Sequence, residues 1–208
     1  MSRGATARLF VALDPPLWAR EELAEWARLI APALDPRGGA RPAGAVRLLA
    51  PQLLHLTLCF LGNRPVGEIA SLSSALGALS ERDLELSIGG PLLLPPRRPR
   101  AVAVEVHGHG EELSLLHRRL VESLAAAGGW EPERRRFRPH ITVARLRGRD
   151  AGRSGRDPET RGRDPERELL PATPRLSFTA ESLCLYRSRL TPTGASYEVL
   201  AEWGRGAV

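Results

Sequence analysis

Lysine is absent from this 208-residue chain, and all 30 basic residues are arginines. The glycine pairs Gly38-Gly39 and Gly89-Gly90 therefore have neither the lysine nor the spacing of a phosphate-binding loop. No apolar run approaches the roughly 18 residues that a membrane-spanning helix needs. The segment Met1 to Phe10 contains no apolar core of a secretory signal. We therefore expect a cytoplasmic protein that does not enter a membrane.

Cysteines and aromatic residues are scarce as well. The two cysteines, Cys59 and Cys184, lie within apolar runs, so we expect buried free thiols in a reducing compartment rather than a disulfide framework. Aromatic residues make up 5% of the chain, which argues against a dedicated binder of single-stranded nucleic acid. His107, His109 and His117 have no cysteine or suitable acidic partner nearby in sequence, so we expect neither a metal nor another cofactor.

The positive charge is concentrated in one part of the chain. Against 24 acidic residues the net charge is +6, and the stretch from Arg134 to Arg167 holds 12 arginines and 5 acids. Within it, Gly-Arg-Asp repeats three times at a spacing of seven without an apolar residue that could form a helical seam. This pattern predicts a polar, mobile insertion at about residues 148–171 of a single domain spanning residues 1–208. The arginines attract phosphate polyanions or simply form a solvated loop.

Apolar periodicity predicts an α+β fold. Residues 36–44 are rich in glycine, proline and arginine and are predicted to form a loop. Because several neighbouring strands are joined by short turns, the sheets are expected to be antiparallel. The predicted helices are Leu17–Ile30, Val66–Leu79 and Glu111–Ala127, and the predicted strands are Arg8–Leu13, Leu53–Leu61, Leu84–Ile88, Ala101–Val106, Pro139–Leu146, Leu176–Tyr186 and Ser196–Trp203.

A His-x-Thr element occurs twice, in two of the predicted strands. Side chains alternate between the two faces of a strand, so His55 and Thr57 share one face, while the leucines beside them take the other. The same alternation separates His140 and Thr142 from Ile141. Each element therefore presents an imidazole and a hydroxyl on one side and anchors itself in the core on the other.

Two imidazoles and two hydroxyls in one cleft are suited to phosphodiester hydrolysis. One neutral histidine accepts a proton from the attacking water, and the other, protonated, donates a proton to the departing oxygen. The threonine hydroxyls can hydrogen-bond the phosphoryl oxygens, where negative charge increases in the transition state. This scheme needs no metal, and by itself it does not say which histidine is the acid.

The paired elements resemble those of the 2H phosphoesterase superfamily. The surrounding sequence resembles one branch, the bacterial and archaeal RNA 2′,3′-cyclic phosphodiesterases, a LigT-like group formerly called 2′-5′ RNA ligases. The likeness covers nearly the whole chain except the arginine-rich segment. It is carried by RLFVA at 8–12, HLTLCFLG at 55–62, RPHITVAR at 138–145, LCLYR at 183–187 and GASYE at 194–198.

The resemblance implies two pseudo-symmetric lobes around a central groove, each contributing one His-x-Thr element. It also implies hydrolysis of an RNA 2′,3′-cyclic phosphate to a 2′-phosphomonoester. By this resemblance His55 is the proton donor to the 3′ oxygen, His140 is the proton acceptor for water, and Thr57 and Thr142 hold the phosphate. Arg145 follows the second element, but strand alternation places it on the opposite face unless the strand ends or bulges there, so we leave it outside the predicted site.

Two other functions remain open at this point. One is a related phosphodiesterase acting on a small cyclic phosphate or a nucleotide-derived substrate. The other is a non-catalytic RNA-binding protein. The expected partner is RNA with a 2′,3′-cyclic phosphate end, and we expect a monomer without an obligate protein partner.

Overall fold

A computed structural model describes residues 5–34, 46–79, 83–96, 98–133, 135–146, 170–191 and 194–204. Within these residues the chain forms nine strands, three α-helices and two short 3-10 turns. In chain order they are β1 Thr6–Asp14, α1 Leu17–Ile30, β2 Val46–Leu48, the turn Pro51–Leu53, β3 Leu56–Pro65, the turn Val66–Glu68, α2 Ile69–Gly77, β4 Glu85–Leu94, β5 Ala101–Gly108, α3 Glu112–Gly128, β6 His140–Leu146, β7 Ser177–Thr179, β8 Ser182–Thr191 and β9 Gly194–Gly204.

The nine strands form one sheet in which the neighbouring strands pair antiparallel. Its order is β7-β4-β5-β6-β3-β1-β8-β9, and β2 pairs with β6 on the same side as β3. The predicted α+β fold with antiparallel pairing is confirmed. The two halves of the sheet meet at β3 and β6, where a single pair of residues is in register, Leu56 with Ile141. One His-x-Thr element begins β6, and the other begins at His55, one residue before β3.

The main core lies between one face of the sheet and the helices. In α1 the apolar positions Leu23, Trp26 and Ile30 are buried, as their helical spacing predicts. Alternate residues of β1, among them Leu9 and Val11, belong to this core. The residues between them, Phe10 and Ala12, face the other side of the sheet and form a second, smaller cluster with Cys184, Tyr186 and Tyr197.

The strand that carries the first His-x-Thr element differs from its predicted bounds. A strand was expected over Leu53–Leu61, but Pro51–Leu53 forms a 3-10 turn and the strand begins at Leu56. It also continues through Gly62-Asn63 to Pro65, because β1 pairs with it as far as Thr6. Gly62 adopts a φ of 69° beside a register shift, so its glycine allows a local irregularity rather than ending the strand.

Parts of the sequence predictions lie outside the described residues. These are the loop at 36–44 and nearly all of the segment at about 148–171. Of that segment, Leu170 is buried in the main core and the Pro171 carbonyl accepts a hydrogen bond from Trp26 Nε1 at 3.3 Å. Cys59 and Cys184 are buried and free, as predicted. No helix within the described residues is long and apolar enough to cross a membrane.

Candidate active site

The four predicted site residues meet where the two halves of the sheet join. Leu56 and Ile141 are fully buried and lie directly opposite each other. Antiparallel pairing then places His55 opposite Thr142 and Thr57 opposite His140. Since neighbouring side chains alternate, all four polar side chains lie on the face away from the main core, and each is half-buried. The structure therefore brings together every residue of the predicted site.

Each imidazole is fixed by the backbone two residues before it. His55 Nδ1 lies 2.9 Å from the Leu53 carbonyl oxygen, and His140 Nδ1 lies 2.7 Å from the Arg138 carbonyl oxygen. A carbonyl oxygen only accepts hydrogen bonds, so Nδ1 carries the proton in both rings and donates it. Nε2 is then the nitrogen of each ring that can accept or give a proton. The two histidines are equivalent in this respect, in keeping with the symmetry of the two elements.

Aromatic rings surround His55, whereas within the described part of the chain none contacts the His140 ring. The ring centroid of His55 lies 5.0 Å from that of Phe10 and 5.1 Å from that of Tyr197, which meets it edge-on. The Phe10 ring in turn stacks on Tyr186 with a centroid separation of 5.0 Å. These contacts limit the rotation of the His55 imidazole and remove part of its surface from water.

The buried carboxylate of Asp14 accepts a hydrogen bond from Tyr186, one of the rings of this stack. Tyr186 Oη donates a 2.6 Å hydrogen bond to Asp14 Oδ2, and Arg20 lies 3.9 Å from the same carboxylate oxygen. Burial raises the pKa of Asp14, while the Tyr186 hydroxyl and the Arg20 charge act in the opposite direction. Asp14 Oδ1 and Arg20 Nε are buried without a hydrogen-bond partner among the described residues. The network is therefore only partly satisfied.

The surroundings of His55 favour its neutral form. The pKa of His55 is lowered to about 4: burial is the main cause, the nearby Arg145, His140 and Arg20 act in the same direction, and the hydrogen bond to the Leu53 carbonyl opposes them. In the absence of a bound anion, His55 is therefore uncharged at neutral pH. A phosphate between these positive groups would oppose that shift, because an adjacent negative charge stabilises the imidazolium.

Arg145 lies on the face of the histidines, which strand alternation did not predict. In the pairing of β5 with β6, Ala103 faces Thr142 and Val102 faces Ala144, so Val143 is an extra, bulged residue. The bulge shifts the alternation by one position and returns Arg145 to the face of Thr142. The pKa of His55 responds to the Arg145 charge in keeping with this placement. The expectation that Arg145 lies on the opposite face was made for a strand without a bulge, and the bulge, which arises from pairing with another strand, places Arg145 on the face of the histidines.

The chemistry available at this site is acid–base catalysis with anion binding. Two ring nitrogens can exchange protons, two hydroxyls can donate hydrogen bonds, and one guanidinium can supply positive charge. Among the described residues, no three histidine, cysteine, aspartate or glutamate side chains come together as a metal site.

Comparison with known proteins identifies the family. The model of the 2′-5′ RNA ligase superfamily matches residues 13–191, most of the chain. The chain belongs to this superfamily. Among curated relatives, an RNA 2′,3′-cyclic phosphodiesterase of Aeropyrum pernix is 34% identical over 95 residues, which are 45% of this chain and 53% of the relative. Another protein of that name, from Geobacillus stearothermophilus, is 31% identical over 150 residues, 71% of this chain and 44% of the relative.

Among solved structures, one aligns with this chain along nearly its whole length. Escherichia coli LigT, crystallised in complex with 3′-AMP, aligns with a TM-score of 0.67 and 26% identity, covering 96% of this chain and 98% of LigT. The chain spans about half the length of the two curated relatives named above. The match of the superfamily model and the alignment with LigT together show the superfamily and the fold of this chain.

Proposed function

We propose that this protein hydrolyses RNA 2′,3′-cyclic phosphodiester ends to 2′-phosphomonoesters by two-histidine acid–base catalysis without a metal. The observation that carries the proposal is the facing pair of His-x-Thr elements, in which both imidazoles are held through Nδ1 and retain Nε2 for proton transfer. The names of the relatives support the substrate class, and the structurally similar LigT was crystallised with a nucleotide, 3′-AMP.

The reaction moves one proton at each histidine. His140 Nε2 accepts a proton from the water whose oxygen attacks phosphorus. The bond between phosphorus and the 3′ oxygen breaks, and His55 Nε2 gives its proton to that oxygen. The products are a 3′ hydroxyl and a 2′-phosphomonoester. The direction of this assignment rests on the family resemblance, because the two histidines are held in the same way.

Thr57, Thr142 and Arg145 stabilise the negative charge that accumulates on the phosphoryl oxygens. Each threonine lies opposite the histidine of the other element, so a phosphate between the rings lies within the span of both hydroxyls. Arg145 adds a full positive charge on the same face. These donors are already in position before substrate binds, so little reorganisation is needed during the reaction.

Substrate binding also promotes the protonation of His55, the proposed acid. His55 is neutral in the free protein near neutral pH because its pKa is about 4. A proton donor must be charged, and the bound phosphate supplies the negative charge that raises the pKa of His55. In this mechanism, the binding of substrate is coupled to the protonation of His55.

The deciding experiment is turnover of a short RNA that ends in a 2′,3′-cyclic phosphate, measured in excess EDTA. The proposal predicts a 2′-phosphate product. Its rate of formation should fall by a factor of about 100 or more in His55→Ala and in His140→Ala. A 3′-phosphate product would reverse the assigned leaving group. Activity restricted to small cyclic phosphates would identify a related phosphodiesterase, and binding of RNA without any turnover would identify a non-catalytic RNA-binding protein.

A further inference from the structure

The carbonyl oxygens that hold the two imidazoles are themselves fixed in different ways. The Leu53 carbonyl, which holds His55, belongs to the 3-10 turn Pro51–Leu53, where two backbone hydrogen bonds of 2.9 and 3.0 Å fix the chain. The Arg138 carbonyl, which accepts the hydrogen bond from His140 Nδ1, lies in a segment that is neither helix nor strand. The orientation of His140 therefore depends on the contacts that hold this segment against the sheet.

Two contacts with β5 hold the segment that precedes β6. The Val106 N–H donates a 3.1 Å hydrogen bond to the Pro139 carbonyl. Next to it, Arg138 Nη2 donates a hydrogen bond to Glu105 Oε1 at 3.2 Å, which is also an ion pair. The first contact fixes the residue between Arg138 and His140, and the second fixes the Arg138 side chain. Together they hold the stretch of backbone to which the Arg138 carbonyl belongs.

Glu105 lies on the face of the histidines, directly opposite His140 in the pairing of β5 with β6. Directly opposed residues of an antiparallel pair point to the same side of the sheet, and the valines on either side of Glu105 belong to the main core. On the other side of Glu105 lies Gly89 of β4, where a Cβ would come within 2.9 Å of the Glu105 Cβ. A glycine at this position thus leaves room for the Glu105 side chain beside His140 and Arg138.

The ion pair between Glu105 and Arg138 is of the kind that adds little to the stability of a fold. The Arg138 side chain is 50% exposed and that of Glu105 is 27% exposed, so water screens the attraction between them. Removal of either side chain should therefore leave the protein folded. An effect on activity would come from the position of the groups that the pair holds.

We propose that Glu105 is a positioning residue that orients the His140 imidazole through its ion pair with Arg138. The inference rests on the proposed function and deepens it, because it names the group that keeps the proposed base in place. By holding the Arg138 side chain, the Glu105 carboxylate keeps the Arg138 carbonyl within hydrogen-bond distance of His140 Nδ1. Nδ1 then retains its proton, and Nε2 remains free to accept the proton of the attacking water. Glu105 acts through Arg138 and transfers no proton itself.

The first test compares kcat and KM for a short RNA that ends in a 2′,3′-cyclic phosphate. Glu105→Ala and Arg138→Met should each lower kcat by about 10-fold with little change in KM, since displacing a catalytic group by about 1 Å costs up to about 100-fold. The double variant should lose no more than either single variant, because both remove the same contact. Arg138→Lys retains the positive charge and should retain most of kcat. The control Arg189→Met, which removes the exposed ion pair with Glu198 in the β8–β9 hairpin, should leave kcat unchanged.

The second test follows the tautomer of His140 by nitrogen nuclear magnetic resonance and needs no turnover. In the unchanged protein the neutral ring should carry its proton on Nδ1. Glu105→Ala should increase the fraction of His140 rings protonated on Nε2, whereas His55, held by the 3-10 turn, should keep its tautomer. Thermal unfolding checks that the variant is folded. If it is not, Glu105→Gln, which removes only the charge, takes its place in both tests.

An unchanged kcat in Glu105→Ala would overturn the inference, and so would a loss confined to KM or additive losses in the double variant. A lower kcat with an unchanged His140 tautomer would also overturn it, because Glu105 would then act by another route. If the unchanged protein hydrolyses no cyclic phosphate end, the proposed function is wrong, and the tautomer alone decides the inference. A shift of the His140 proton to Nε2 would then support the positioning role of Glu105, and an unchanged tautomer would refute it.

Discussion

Tyr186 donates a 2.6 Å hydrogen bond to the buried carboxylate of Asp14. The strands that carry these two residues pair with each other, and the Tyr186 ring packs on Phe10, which contacts the His55 imidazole. The position of the His55 side chain, the proposed proton donor, thus depends on the hydrogen bond between Tyr186 and Asp14. The same carboxylate lies near Arg20, one of the charges that lower the pKa of His55.

Tyr186→Phe is expected to destabilise the protein by about 1–3 kcal/mol, because Asp14 Oδ2 loses the donor that satisfies it while the carboxylate stays buried. Denaturant unfolding gives the free energy directly. Tyr197→Phe is the matched control, since it also removes a hydroxyl from this cluster and that hydroxyl makes no hydrogen bond within the described residues. Similar losses of unfolding free energy in the two variants would show that the hydrogen bond to Asp14 does not stabilise the protein.

The ionisation of His55 can be followed directly in the free protein by nuclear magnetic resonance. We expect a pKa of about 4, held down first by burial and then by neighbouring positive charge. Arg145→Gln removes one of those charges, which favours the protonated ring, so the pKa of His55 should rise. The control substitution Arg118→Gln, at an exposed position, should leave the pKa of His55 unchanged. A fall in the pKa of His55 in Arg145→Gln would contradict the placement of Arg145 on this face.

Strand alternation was enough to predict the arrangement within each His-x-Thr element. It is a local property, so a single sequence determines that His55 and Thr57 share a face once the strand is recognised. The expected position of the two elements opposite each other came from the family resemblance. The pairing of Leu56 with Ile141 accounts for it physically, because two fully buried side chains join the halves of the sheet.

The arginines could not be predicted in the same way. Arg145 reaches the site through a bulge at Val143, which exists only in the pairing of β6 with β5. Arg47, directly opposite Arg145 where β2 pairs with β6, lies on a strand of three residues, too short to show a periodic pattern. Both depend on contacts between segments that are distant in sequence. Alternation along one strand contains no information about them.

Replacing either site threonine by valine should reduce turnover without unfolding the protein. Valine has nearly the same shape as threonine but lacks the hydroxyl that is proposed to hold the phosphate. We expect kcat to fall about 100-fold in Thr57→Val and in Thr142→Val, the loss typical of one donor to a developing oxyanion. Thermal unfolding should change little, because both side chains are only half-buried. Full activity in both valine variants would remove the threonines from the mechanism.

The pH dependence of the reaction should differ between kcat/KM and kcat. The profile of kcat/KM follows the free protein, where the pKa of His55 is about 4, so the fraction of protein with a charged acid falls as the pH rises above that value. The profile of kcat follows the complex, in which the substrate phosphate raises the pKa of His55 and keeps the acid protonated to higher pH. The basic limb of kcat should therefore lie at higher pH than that of kcat/KM. Coincident basic limbs would mean that substrate binding does not charge His55, and would count against its role as the proton donor.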